Sequence, residues 1–319
     1  MKNRSILIFG ASGYIGSSAA LFFKQQGFDV IAVFRKEPED ISLLNGVTGI
    51  VADVNDDSIL NIINEIDVDY VLYTISLDNI NSENSDLRFL NETNVFSAWK
   101  IANIFSQKNI KKFIYISTFH SIGECSLKNI DESIKKRPKT FYGLTHSLVE
   151  EIISYYNKGE VKFVNIRLSN GYGSPSIPNN NCWNLVVNNL VKSAIETNKI
   201  ILKTNGLVQR DFIHINDINF AILTLLNSEL KEDLFNVCFG KTYSLLEVAH
   251  LVKKVFQEKF GNKIKVFHSE NIESMNPPDI KIEFQLENNI LLKYGFSLGI
   301  SLEEGIIELF NHLKCIKKK

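Results

Sequence analysis

Short, nearly unbroken apolar runs recur along this chain at Ser5 to Phe9, Val30 to Phe34, Gly49 to Ala52, Tyr70 to Ile75, Phe113 to Ser117 and Val161 to Arg167. Runs this short, without polar alternation, read as strands covered on both faces. Between them, Ser17 to Gln26 and the stretches near 56–65, 86–107 and 142–157 carry apolar residues at helical spacing. Strand and helix in alternation predict an α/β fold with a doubly wound parallel sheet, its ligands at the carboxyl ends of the strands. After Arg167 the pattern loosens. Asn170 to Asn184 is rich in Gly, Pro, Ser and Asn and reads as a long loop. Helical stretches near 183–197, 244–260 and 301–314, interleaved with short strands, predict a smaller C-terminal α/β substrate domain. The expected division gives residues 1–168 and roughly 209–240 to a nucleotide-binding domain, and residues 169–208 and 241–319 to a substrate domain.

Composition narrows the function. The 319 residues are 45% hydrophobic, with 35 Lys and Arg against 36 Asp and Glu. A balanced chain of this size gives no global electrostatic case for nucleic acid or an anionic membrane, so a small ligand is expected. The cysteines at 125, 182, 238 and 315 are far apart and suggest neither a metal site nor a disulfide framework. A reducing cytoplasm fits that usage, as does an N-terminus that enters a strand without a long apolar run. Lys314 and Lys317 to Lys319 read as a solvated basic end.

Gly10-Ala11-Ser12-Gly13-Tyr14-Ile15-Gly16 sits between a strand and a helix. Glycine there permits a tight turn and lets the backbone approach a pyrophosphate, while the helix N-terminus offers free N–H groups to the anion. Gly10, Ser12, Gly13, Tyr14, Ile15 and Gly16 are therefore candidate cofactor residues. The second strand ends in Phe34-Arg35-Lys36, where an NAD enzyme would offer a carboxylate to the ribose. Arg35 and Lys36 attract a 2′-phosphate instead, so NADP(H) is favoured, with NAD(H) as the alternative. Asp53, followed by Val54, stands after the third strand, placed either to accept from an adenine amino group or to cap the helix beginning near Asp56.

Tyr142 and His146 are four residues apart, so on a helix they share one face and one reacting group. The three glycines, Asp53, Ser117-Thr118 and Tyr142 together resemble the extended short-chain dehydrogenase/reductases, the nucleotide-sugar epimerase/dehydratase family with a Rossmann-like fold. Asn170-Gly171-Tyr172-Gly173 resembles the family's Asn-x-Tyr-Gly loop, and Gln209-Arg210-Asp211-Phe212 followed by Asp217 its Arg-Asp-Phe segment. The family pairs the catalytic Tyr with Lys at the position of His146. The resemblance implies Tyr142 as proton carrier, Thr118 on the reacting sugar oxygen, His146 in the cofactor-binding and catalytic place of the Lys, and Asn170 and Arg210 on the substrate. Phe119 and His120 stand where the family's 4,6-dehydratases carry Asp and Glu, which argues against dehydration and leaves His120 lining the substrate pocket.

With ordinary pKa values of about 10 for Tyr and about 6.5 for His, Tyr142 near neutral pH would lack a cationic partner. That penalises oxidation, which needs phenolate, more than reduction. The expected reaction is NADPH-dependent reduction of a nucleotide-linked 4-ketosugar, as in the similar CDP-abequose and paratose synthases. A nucleotide-sugar 4-epimerase and a catalytically weak nucleotide-binding protein stay open. A homodimer is expected from surplus apolar residues on two helices, Phe96, Trp99, Ile101 and Phe105, and Leu148, Ile152, Tyr155 and Tyr156, since the family's corresponding helices form a four-helix bundle.

Overall fold

A computed structural model describes residues 4–36, 46–77, 79–123, 128–177, 181–268, 272–274 and 284–316. Cys125 and Lys317 to Lys319 lie outside the described residues. The first half alternates β1 (Ser5–Phe9), α1 (Tyr14–Gln25), β2 (Asp29–Phe34), β3 (Thr48–Val51), α2 (Ser58–Asn64), β4 (Tyr70–Tyr73), α3 (Asn79–Asn84), α4 (Leu87–Asn91), α5 (Ser97–Phe105), β5 (Lys112–Thr118), β6 (Asn129–Ile130), α6 (Phe141–Tyr155) and β7 (Lys162–Leu168). Then follow β8 (Asn170–Tyr172), α7 (Val186–Thr197), β9 (Lys199–Ile201), β10 (Gln209–His214), α8 (Ile215–Asn227), β11 (Leu234–Val237), β12 (Thr242–Ser244) and α9 (Leu245–Phe260). The chain ends in β13 (Lys265–His268), β14 (Ile272–Ser274), β15 (Gln285–Leu286), α10 (Asn289–Lys293) and α11 (Leu302–Ile316).

The main sheet is Rossmann-like, seven parallel strands in the order β11-β7-β5-β4-β1-β2-β3. Successive side chains of a strand point to opposite faces. In β1, Ile6 and Ile8 accordingly join one core with α1 and α8, while Leu7 and Phe9 join another with α2, α5 and α6. A third core is built by α7, α9 and α11 around Phe212, Ile200 and Val266. The strand order reverses between β1 and β4, so their carboxyl ends open the crevice where such folds bind ligands.

Four expectations change. The helix after β1 begins at Tyr14, not Ser17. The stretch near 86–107 is two helices joined by a π-helical turn, Glu92–Phe96, in which the buried Asn94 accepts from Leu77 N and donates to Thr145 Oγ1. Part of the expected loop after Arg167 is β8, made a strand by parallel pairing with β10. The sequence reading also passed over α8, a 13-residue helix that covers one sheet face. Of the residues expected on a dimer face, Ile101 and Phe105 are fully buried in the core, whereas Phe96, Trp99, Leu148 and Tyr155 are exposed.

Candidate active site

Because every strand of the main sheet is parallel, the Gly-rich turn after β1, Arg35 and Lys36 after β2, Asp53 and Val54 beyond β3, and Thr118 at the end of β5 lie along one edge. The turn folds back on itself: Gly10 has φ 81°, and a Cβ on Gly16 would lie 2.3 Å from the Gly10 carbonyl oxygen. Gly13 is the N-cap of α1 and makes no side-chain cap, so the helix entrance stays backbone-only. That backbone fits a pyrophosphate, and the exposed Arg35 and Lys36 fit an added phosphate. The phenol of Tyr14 is turned elsewhere. It donates to the Gly173 carbonyl at 3.0 Å, whose residue is clamped from the other side by the Asn188 amide. Val54 is buried, and the Asp53 carboxylate accepts from Asn55 N at 2.9 Å. It does not cap α2, which begins at Ser58.

The catalytic end is assembled by α6. Thr140 caps it by accepting from Gly143 N at 3.0 Å. Gly143 lets the first turn of the helix press on the short turn after β5, since a Cβ there would lie 2.3 Å from the His120 carbonyl oxygen. That approach sets the Tyr142 ring edge-to-face with His120 at 5.5 Å between centroids. Thr118 Oγ1 accepts from His120 N at 3.2 Å, and Ser121 Oγ donates to Thr118 O at 2.8 Å. On its other side Tyr142 meets His146, edge-to-face at 4.6 Å.

His146 is buried, at 3% exposure. Its Nδ1 lies 2.6 Å from the Tyr115 hydroxyl, and its Nε2 is buried with no partner among the described residues. Burial pulls the imidazole down to about 4, with Glu150 opposing and His120 assisting. Near neutrality His146 is uncharged and does not supply the positive charge of an ammonium. One turn further on, burial raises the Glu150 carboxyl. The Arg167 guanidinium, bonded to it at 2.8 Å, outweighs that and, with the Ser117 hydroxyl, holds it below the usual range. Tyr142, His146 and Glu150 form one i, i+4, i+8 row. The sequence reading missed Glu150, Arg167 and Tyr115; the row itself was the available signal for Glu150.

Arg210, on β10, is half-buried and donates to the Gln209 carbonyl at 3.2 Å, with no ion pair among the described residues. It is near enough to His120 to help lower that imidazole, after burial. Thr118, His120, Tyr142, His146 and Arg210 are thus gathered in one region. Asn170 is used differently: its amide donates to the Asp211 carbonyl at 2.9 Å and ties β8 to β10.

Comparison with known proteins finds relatives in both sequence and fold. The chain is 29% identical over 277 residues to a UDP-glucose 4-epimerase of Mycoplasma genitalium, covering 79% of this chain and 81% of that one. It is 24% identical to the CDP-abequose synthase of Salmonella typhimurium over 97% of this chain and 98% of that one. Its fold matches the structure of a UDP-N-acetylglucosamine 4-epimerase from Methanobrevibacter ruminantium, with a TM-score of 0.83, 21% identity and full coverage of both chains. Residues 6–238 match the sequence pattern of one enzyme family over most of the chain's length. The chain belongs to the NAD dependent epimerase/dehydratase family.

Proposed function

We propose that the protein reduces a nucleotide-linked 4-ketosugar with NADPH. The observation that carries this is the neutral, buried His146 packed on Tyr142: it stands in the place of the family's Lys and does not itself supply a positive charge to ionise the phenol. A protonated phenol donates, as reduction requires. When bound, the dihydronicotinamide supplies hydride to the keto carbon. Tyr142 gives its proton to the developing alkoxide, and the Thr118 hydroxyl holds the same oxygen. Arg210, with no carboxylate opposite it among the described residues, offers its planar fork to the sugar diphosphate. Arg35 and Lys36 read the 2′-phosphate. The protein acts as a homodimer, through the exposed aromatic face of α5 and α6.

A 4-epimerase is the second reading, favoured by the similarity to the UDP-glucose 4-epimerase of Mycoplasma genitalium. Incubation with a panel of 4-keto and 4-hydroxy sugar nucleotides, with mass spectrometry of the products, separates the two. A reductase consumes one NADPH per keto group and gains two hydrogens in the product; an epimerase interconverts hydroxy sugars with no net consumption. Tyr142→Phe abolishes turnover in either case. Arg35→Ala should weaken NADPH by about 1.5–3 kcal/mol and leave NADH nearly unchanged. Ligand binding without turnover of any sugar would overturn both readings.

A further inference from the structure

Tyr115 lies in the middle of β5, 1% exposed, and its phenolic oxygen is 2.6 Å from His146 Nδ1. Burial drives its ionisation well above the ordinary phenol range, with Tyr142, Tyr73 and Glu150 adding to it, so the hydroxyl always carries its proton. Among the described residues that hydroxyl has no other hydrogen-bond partner. Two neutral arrangements are open to the pair. If Nδ1 carried the imidazole proton, it would donate to the Tyr115 oxygen. The buried Tyr115 proton would then have no acceptor, and the Nε2 lone pair would have no donor. If Nε2 carries the proton, Tyr115 donates to Nδ1 and a single group, Nε2–H, is left without a partner. One buried orphan is less costly than two.

We infer that Tyr115 is a positioning residue that fixes His146 as the Nε2–H tautomer, a neutral donor held against Tyr142. The same contact opposes an imidazolium, which would place a proton on Nδ1 against the hydroxyl's own. The charged and titratable groups around the ring are Tyr142 and Glu150 on α6, Tyr115 on β5 and His120 in the turn after it. Of these Glu150 alone favours protonation, and its carboxylate is already taken by Arg167, Ser117 and Ser121. The remaining Nε2–H is closed off from solvent, so it reaches an acceptor oxygen of a ligand bound beside Tyr142 only when the ring or its cover shifts on binding. That consequence rests on the reductase reading, whereas the tautomer does not.

The test is nuclear magnetic resonance of protein labelled with 15N in histidine, with the His146 ring assigned by its loss in His146→Gln. At pH 7 the wild-type ring should show a protonated Nε2 and an unprotonated Nδ1. Tyr115→Phe should move it toward a mixture of tautomers and lower kcat for ketosugar reduction by about tenfold or more, the scale on which an orienting partner matters for metal-ligating histidines, with KM little changed. An Nδ1–H tautomer or an imidazolium in the wild type would overturn the inference, even if Tyr115→Phe does not fold. An unchanged tautomer in a folded Tyr115→Phe would overturn it too. If the tautomer behaves as stated but no ketosugar nucleotide is reduced, the positioning role stands and the reductase reading fails.

Discussion

His146 makes the stability of the protein depend on pH in a definite sense. Its folded pKa of about 4 lies below the ordinary value of about 6.5, so in between the unfolded chain binds a proton that the folded chain refuses. Stability is therefore complete above pH 6.5 and is lost as the pH falls toward 4. From pH 7 to pH 5 the loss through this group is about 2 kcal/mol. In His146→Gln nothing titrates there, and urea unfolding at the two pH values should show a drop smaller by about that amount. His250, His312 and Asp211, whose own ionisation is shifted by burial and which are not among the groups acting on His146, are common to both proteins and cancel in the comparison, whereas the difference includes the coupling of His146 to His120. Equal drops would mean that the ring accepts a proton in the folded state. The role of Tyr115 could not be read from the sequence, where it is one more large residue in a buried strand. Its contact with His146 spans 31 positions and exists only once α6 lies on the sheet.

At the scale of elements, the close approach of α6 to the turn after β5 is what joins Tyr142 to Thr118 and His120. Gly143→Ala should force the two apart, because the added carbon meets a backbone oxygen that cannot rotate away. The expected cost is about 1–3 kcal/mol of stability, with a fall in kcat larger than any change in KM. Gly159→Ala, where an added carbon meets nothing within 4 Å, is the matching control. A Gly143→Ala enzyme with wild-type kcat would mean that the turn yields and that the spacing does not matter. Six of the seven strands of the main sheet were legible as short apolar runs, most of them buried on both faces, although the edge strand β3 is largely exposed; β11 was not among the runs read. The helix α8 was not legible either, although Ile215, Ile218, Ile222 and Leu225 repeat at helical spacing. Its entrance is capped by His214, whose Nδ1 accepts from Asn216 N, and histidine is not among the favoured caps. Asn216, Asp217 and Asn219 are also weak helix formers, so tertiary packing decides that segment. The π-helical turn likewise depends on the bonds of Asn94 to distant partners, which no local pattern announces.

For the whole molecule, α6 has two working faces. Tyr142, His146 and Glu150 line the inner one, and Leu144, Leu148 and Tyr155 stand about half a turn round the helix, exposed. Beside them on the surface, Phe96 and Trp99 stack with 8° between ring planes and are 51% and 46% exposed. The polar edge of Trp99 is satisfied within the chain by Tyr156, so its ring is free to be covered without stranding the indole N–H. An aromatic patch of this kind, rather than the core residues Ile101 and Phe105, is what a second copy would bury, and a stable interface needs about 800 Å² per partner. Light scattering at micromolar concentration should give twice the chain mass of 36.3 kDa. Phe96→Asp together with Trp99→Asp should give a folded monomer that unfolds at a lower temperature than the wild-type dimer, because the stabilisation contributed by association is lost. Because the buried row and the exposed face belong to one helix, that monomer should also hold Tyr142 less firmly and turn over more slowly. A wild-type protein that is monomeric at these concentrations would leave the patch without a role in assembly, and α6 would have to be held by the contacts of its inner face alone.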